Sequence, residues 1–152
     1  SGHWAQVQSR HCYKNSGQTF PQKPKMSESS DSSVPLYHDK FVDIFPDHLN
    51  IKSYYFPLGR EKRIDFGDSG DQKVSFATDQ DLGFQWWDRK GWGMALNNVW
   101  WATDLKRDFF GGPKHLGIVV TVGNERFRKG FSVEDEEKAL KVLDSVLPRT
   151  QE

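Results

Sequence analysis

The sequence predicts a mainly β domain, seven short strands in one bent antiparallel sheet, closed by a single C-terminal helix. Three observations carry this. From Tyr37 onward, short apolar or alternating segments are separated by Pro, Gly, Asp and Asn, the residues of tight turns. From Ser132 the apolar spacing changes to 3.6 residues. Finally, "LGFQWWDRKGWGMALNNVWWATD", residues 82–104, holds Trp86, Trp87, Trp92, Trp100 and Trp101, all but one of the tryptophans, and bulky rings are what a small β core needs.

Residues 1–36 are too polar and too scattered in their apolar positions to form a face, so a disordered tail is expected there. The opening "SG" looks like a cleavage scar and Met26 like a natural start, which raises the expectation that residues 1–25 are not native. In the expected domain, residues 37–148, "KFVDIF" (40–45) and "LNIKSYYF" (49–56) flank "PDH" and read as a hairpin. "PLGREK" turns the chain into "RIDF" (63–66), and "KVSFAT" (73–78) follows the turn-forming "GDSGD". "MALNNVWWA" (94–102) reads as one strand. In "LGIVVTV-GN-ERFRKGF", Gly123 and Asn124 supply the positive φ of a two-residue hairpin turn. Ser132, with Asp135 three residues on, resembles a capping box, and Glu134, Asp135, Glu136 and Glu137 suit the positive end of a helix dipole. Ala139, Leu140, Leu143, Val146 and Leu147 then line one face of a helix over 133–147, which Pro148 ends.

Composition excludes several classes. Lys and Arg (21) balance Asp and Glu (21), so no overall field draws in nucleic acid or an anionic membrane. Residues 1–25 carry Arg10, Lys14, Lys23 and Lys25 and no acid, leaving the remainder mildly acidic. With Cys12 the sole cysteine, an intrachain disulfide and a thiolate zinc site are both excluded. His3, His11 and Cys12 are near in sequence but lie in a segment too polar to fix metal geometry. The longest apolar run, "LGIVVTV", is far short of a membrane span, and a soluble cytoplasmic protein is the expectation.

The succession of strands and a final helix resembles the pleckstrin-homology-like superfold. The likeness to its bacterial-type branch rests on "RIDFGD", "GWGMALNNVWW" and "LGIVVTVGNERFRKGFSVEDEEKAL", and covers roughly residues 38–148. It implies a partly open barrel whose mouth the helix plugs. Because these motifs are architectural, they speak to fold more than to function.

Adjacent Trp100 and Trp101 point to opposite faces of a strand, and Trp86 with Trp87 pose the same problem, so each pair leaves one ring over. Most rings suit the core, while Trp87, Trp92 or Trp101 could form a contact surface. Arg89 and Lys90, set among rings in "WWDRKGWG", have the amphipathic character of a wet interface, although Gly91 and Gly93 equally suit a tight bend. Arg126 and Arg128, two residues apart on an expected strand, could bind a phosphate or carboxylate.

Pleckstrin-homology relatives that bind phosphoinositides use basic residues at the first hairpin. Here that turn is "FPDHLN", with no Lys or Arg, so the motif does not carry over. The phosphotyrosine-binding branch instead adds a peptide beside the fifth strand and against the helix, a mode that needs no special side chains. An exposed edge could equally pair with a second copy. The carboxylates Asp79 and Asp81, or Asp68 and Asp71, sit in turn contexts, and His38, His48 and His115 lack ligand spacing. "FFGGPKH" lacks the Lys-Ser or Lys-Thr of a phosphate loop. The expectation is therefore non-catalytic recognition of a protein or peptide, without cofactor or metal. An anionic lipid headgroup is the alternative ligand, and a small hydrolase using Asp and His the alternative class.

Overall fold

The computed structural model describes residues 34–67, 73–107, 115–123 and 125–150. The tail expected over 1–36 falls outside the described residues as far as 33. So do His3, His11, Cys12, Asp68, Asp71 and most of "FFGGPKH". Leu36, placed by the sequence pattern in the tail, already belongs to the fold: its N–H donates to the Ile44 carbonyl at 2.7 Å.

The first sheet is a meander of β1 (Tyr37–His38), β2 (Val42–Ile44), β3 (His48–Tyr55) and β4 (Arg60–Asp65). The expected hairpin forms, with Ile44 opposite Leu49 and Val42 opposite Ile51. Alternation puts Val42, Ile44, Leu49, Ile51 and Ile64 inward, all buried. The short β1 was not foreseen, and Asp39 accounts for it. One carboxylate oxygen takes the N–H groups of Phe41 and Val42 at 2.7 and 2.8 Å, bending β1 back onto β2. The other takes the Tyr37 hydroxyl at 2.7 Å and the Glu134 N–H at 2.9 Å, fastening the sheet to the segment that leads into the helix. Burial and the bond to Asp39 raise the Tyr37 pKa well above the usual phenol value.

The second sheet contains β5 (Val74–Thr78), β6 (Gly93–Met94), β7 (Val99–Trp101), β8 (Leu116–Val122) and β9 (Arg128–Val133), in the order β5-β8-β9-β7-β6 with β7 parallel to β9. The strand expected over 94–102 is thus two strands. Asn98 takes φ +59, and the Ala95 N–H closes the turn on the Val99 carbonyl at 2.9 Å. The β8–β9 connection also differs from the expected two-residue turn. That turn would set Val122 against Glu125, whereas the register pairs Val120 with Lys129 and so requires a longer loop. Gly123 keeps its positive φ, +45. Among the described residues there are nine strands in two sheets rather than seven in one, and no closed barrel.

The helix α1 (Glu136–Val146) is shorter than expected because β9 runs on to Val133. Asp135, not Ser132, caps it, accepting the Lys138 N–H at 3.1 Å. Ala139, Leu143 and the following Leu147 enter a core with inward residues of both sheets, among them Phe76, Ile118, Val120 and Phe131. After the helix, the Pro148 carbonyl accepts the Phe76 N–H at 3.1 Å and the Thr150 N–H donates to the Phe76 carbonyl at 2.7 Å, so the chain covers its own β5 edge.

The second sheet is buried on both faces. Leu116, Ile118, Val120 and Val122 of β8 face the main core, while Val119 joins Ala95, Val99 and Trp101 in a second cluster flanked by Leu82 and Phe84. That is why β8 reads as a continuous apolar run. It also resolves the Trp100–Trp101 pair: Trp100 packs against the main core and Trp101 fills the second cluster, so both rings are core.

Trp101 lies flat over glycine. A Cβ built at Gly130 would stand 2.4 Å from the indole, and one at Gly117 would meet it at 3.0 Å and the Asp79 carboxylate at 2.7 Å. Gly130→Ala is expected to destabilise the fold by about 1–3 kcal/mol or more, because the ring has no room to retreat. Leu143→Ala, which empties a fully buried site under the helix, is expected to cost about 2–5 kcal/mol. Urea unfolding followed by far-UV circular dichroism measures both, and an unchanged midpoint for Gly130→Ala would contradict the packing described.

Candidate functional site

Between β5 and β7 the chain leaves the sheet and crosses its outer face. A reciprocal turn starts the excursion: the Thr78 N–H donates to the Asp81 carboxylate at 3.0 Å, and the Asp81 N–H donates to the Thr78 hydroxyl oxygen at 2.9 Å. These bonds hold the Asp81 carboxyl below its usual pKa. A single 3₁₀ turn comes next, Trp86–Asp88, with the Asp88 carboxylate accepting the Gln85 N–H at 2.9 Å. Trp86 and Trp87 therefore sit on a helical turn rather than a strand, and neither enters the core. They are exposed and meet edge to face, with centroids 5.4 Å apart.

From Asp88 to Gly91 the chain is pinned by its carbonyls. The Trp101 indole N–H donates to the Asp88 carbonyl at 3.0 Å, an Arg107 Nη donates to the Lys90 carbonyl at 2.6 Å, and the Asp104 N–H donates to the Gly91 carbonyl at 2.7 Å. With its main chain tied in this way, the segment leaves the rings of Trp86, Trp87 and Trp92 exposed. Trp86, Trp87, Arg89, Lys90, Trp92 and Met94, with Gly91 and Gly93, line an open groove of about 590 Å³. From the first sheet, Phe56 stacks on Trp92 at 4.8 Å between centroids, and its neighbour Leu58 is also exposed. A bulge in β3 brings it there: Ser53 takes φ +50, its carbonyl accepts the Thr103 N–H at 3.2 Å, and the Tyr54 carbonyl accepts the Trp100 indole N–H at 3.2 Å.

β6 forms one wall of the groove and, among the described residues, is an edge of its sheet. Because the Ala95 N–H bonds to Val99, antiparallel alternation turns the N–H and C=O of Met94, one residue earlier, away from β7 and toward the open side.

Of the sequence-predicted contact residues, Trp87, Trp92, Arg89 and Lys90 line one groove, joined by Trp86 and Met94, which the sequence pattern did not single out. Trp101 is corrected: fully buried beneath the groove, it supports the surface instead of forming it. Arg126 and Arg128 do not share a strand face, since β9 starts at Arg128. Arg128 donates to the Asn97 carbonyl at 3.2 Å and lies over Phe84, while Arg126 lies over Phe127. Elsewhere, Lys62, Arg63, Asp65, Glu125 and Lys129 line a smaller cleft of about 130 Å³, in which the buried Lys129 pairs with Glu125. No α1 residue lines the main groove, so the expected pairing of fifth strand with terminal helix is not how it is built.

Beneath the groove lie the buried charges. The Arg89 guanidinium meets Asp79 at 3.0 Å, and the same carboxylate oxygen accepts the Gly117 N–H at 3.1 Å. Burial nevertheless raises the Asp79 pKa, with Arg89 and the Gly117 N–H only partly offsetting it. Arg107 stacks over the Trp101 ring at 4.4 Å and donates twice to the Ser132 hydroxyl, at 2.8 and 3.1 Å. Ser132 donates its own O–H to Asp104 at 2.7 Å, and His115 Nδ1 lies 3.0 Å from the same carboxylate oxygen. Burial pushes the Asp104 carboxyl up, but Ser132, His115 and the Arg107 charge together hold it below the usual range. Asp, His and Ser do converge here, yet Ser132 donates to the acid rather than to the histidine, and its oxygen already accepts from a cation. This arrangement clasps chain segments together instead of activating a nucleophile.

Among the described residues no group of His, Cys, Asp and Glu could hold a metal, and no helix is long and apolar enough to cross a membrane. Arg107→Ala is expected to cost about 3–5 kcal/mol in denaturant unfolding, since it strands the Lys90 and Ala102 carbonyls and Asp104. Asp104, whose folded pKa is depressed, adds stability that is fully present above the unfolded carboxyl value of about 3.9 and is lost as pH falls through the lower folded value. Asp104→Asn should therefore be less stable than the parent at neutral pH, with the gap closing as acid is added. Thermal unfolding across a pH series checks this, and a constant gap would contradict it. No family model, curated protein or solved structure matches this chain.

Proposed function

We propose that this chain is a non-catalytic recognition domain on a pleckstrin-homology-like scaffold, and that it binds an extended peptide segment of a protein in the groove beside β6. The scaffold reading is supported by the order of elements, a four-stranded meander, then a second sheet, then a C-terminal helix in the core. One arrangement carries the functional reading: three exposed indoles lie beside β6, an edge strand among the described residues, whose Met94 N–H and C=O point away from β7. Rings of this kind are large, rigid contact surfaces with one polar corner, and a strand edge supplies directional hydrogen bonds to any peptide backbone. The pinned carbonyls of Asp88, Lys90 and Gly91 hold the rings in place before a partner arrives, which lowers the ordering cost of binding.

A lipid surface is the second reading, favoured by the exposure of Leu58, Leu96 and Trp86 at 71%, 88% and 74%. The concave groove and the free main-chain pair favour a peptide, because a bilayer offers no backbone to an edge strand. At the first hairpin, where phosphoinositide-binding relatives carry cations, Pro46 and Asp47 are exposed and His48 is buried.

The test is a random-peptide phage library panned on the full chain, followed by amide hydrogen exchange with synthetic copies of the selected sequences. Selected peptides are expected to slow exchange at Met94. Trp92→Ala, which removes a half-exposed ring, should weaken them about tenfold or more without shifting the unfolding midpoint by more than a small amount. If no peptide is selected, or if protection falls elsewhere, the reading fails.

A further inference from the structure

We propose that the occupant of this groove is an acidic peptide, one that carries a carboxylate beside bulky apolar side chains. The inference rests on the peptide reading and adds the chemistry of the partner.

Charge complementarity is the argument. Among the described residues, the ionisable side chains lining the groove are Arg89 and Lys90, both basic, and no carboxylate lines it. They differ in what they have left to offer. Arg89 reaches down to the buried Asp79 at 3.0 Å, so its charge is compensated from inside the protein. Lys90 uses its carbonyl to hold Arg107, while its side chain is exposed and its ammonium has no hydrogen-bond or ion-pair partner among the described residues. The nearest acid in sequence, Asp88, is turned back to cap the Gln85 N–H at 2.9 Å. Two further exposed cations belong to segments packed against the groove. Arg60 stands opposite Tyr55 in the hairpin whose Phe56 stacks on Trp92, and Lys106 follows Leu105, whose side chain lies against Gly91. Neither has a side-chain partner among the described residues.

The apolar and charged features therefore call for different parts of one ligand. The indoles and Met94 need large apolar side chains, the Met94 main chain needs a backbone, and Lys90 needs an anion. A peptide meets all three when an acid neighbours an aromatic or branched residue, because successive side chains of an extended segment point to opposite sides. A lone anion would leave the rings wet, and a neutral peptide would bury the rim of an unpaired ammonium.

The experiment pans the same phage library on the full-length parent, on Lys90→Gln and on Lys90→Glu, and then measures fluorescein-labelled synthetic peptides by anisotropy at low and high salt. Lys90 is exposed, so both variants should fold with the parent's near-UV spectrum. The parent is expected to enrich Asp or Glu beside Trp, Phe or Leu. The acidic peptide should bind Lys90→Glu more weakly by about tenfold or more, and raised salt should weaken its binding to the parent. Replacing its acid with Gln should remove most of that difference. Selected peptides that are neutral or basic, or acidic peptides that bind Lys90→Glu as tightly as the parent, would overturn this inference and leave strand addition standing. If no peptide is enriched while phosphatidylserine vesicles bind in a Trp86-dependent manner, peptide recognition fails as well, in favour of a membrane surface.

Discussion

The structure depends on Trp101 lying against the second sheet with nothing but glycine beneath it. Gly130 and Gly117 leave room for the indole, and the ring in turn gives the outer face of β8 and β9 a core of its own. A small protein with one sheet face covered by a helix usually leaves the other face wet. Here that face is dry, so residues 79–107 must lie across it, and the excursion has a fixed shape because the ring's one polar atom reaches the Asp88 carbonyl. The groove is a consequence of this packing.

Around that ring the buried polar groups act on the main chain. Arg107 sits over the indole, serves the carbonyls of Lys90 and Ala102, and is joined through Ser132 to Asp104 and His115. A buried guanidinium is tolerable only when its donors are used, and here they are used across segments distant in sequence. The consequence is mechanical. The carbonyls of Asp88, Lys90 and Gly91 are fixed from below, and Trp86, Trp87 and Trp92 in the same segment are exposed. Rings held this way lose little freedom on contact, which is how a short loop can serve as a binding surface.

The two edges of the second sheet are treated differently. At β5 the chain returns after α1 and bonds to both main-chain groups of Phe76, with Ser75 and Thr150 hydroxyls meeting at 2.9 Å, so that edge is occupied by the protein itself. At β6 no described strand takes the same role. Proteins generally blunt free edges to avoid indiscriminate pairing. β6 is only two residues long and begins with Gly93 at φ +83, so the edge it leaves is short.

The mainly β character, the hairpin around Pro46–His48, the positive φ of Gly123 and the amphipathic C-terminal helix were legible in the sequence, because each is set by residues within a few positions of one another. So was the clustering over residues 86–94 of rings, glycines and charges, which line one groove. Three features were decided only by the tertiary structure. Trp100 and Trp101 could be assigned to faces from alternation, but not to two cores, because the second core requires the excursion to fold over β8 and β9. Ser132 looked like a helix cap, but β9 runs through it to Val133, where Arg107 and Asp104, distant in sequence, engage its hydroxyl, and Asp135 caps the helix instead. Phe56 gave no sign of belonging to the site, since the bulge that aims it at Trp92 is secured by a bond to Thr103 beyond the end of β7. Short-range stereochemistry fixes elements and turns, whereas which face is dry and which polar groups meet depends on the packing of the whole chain.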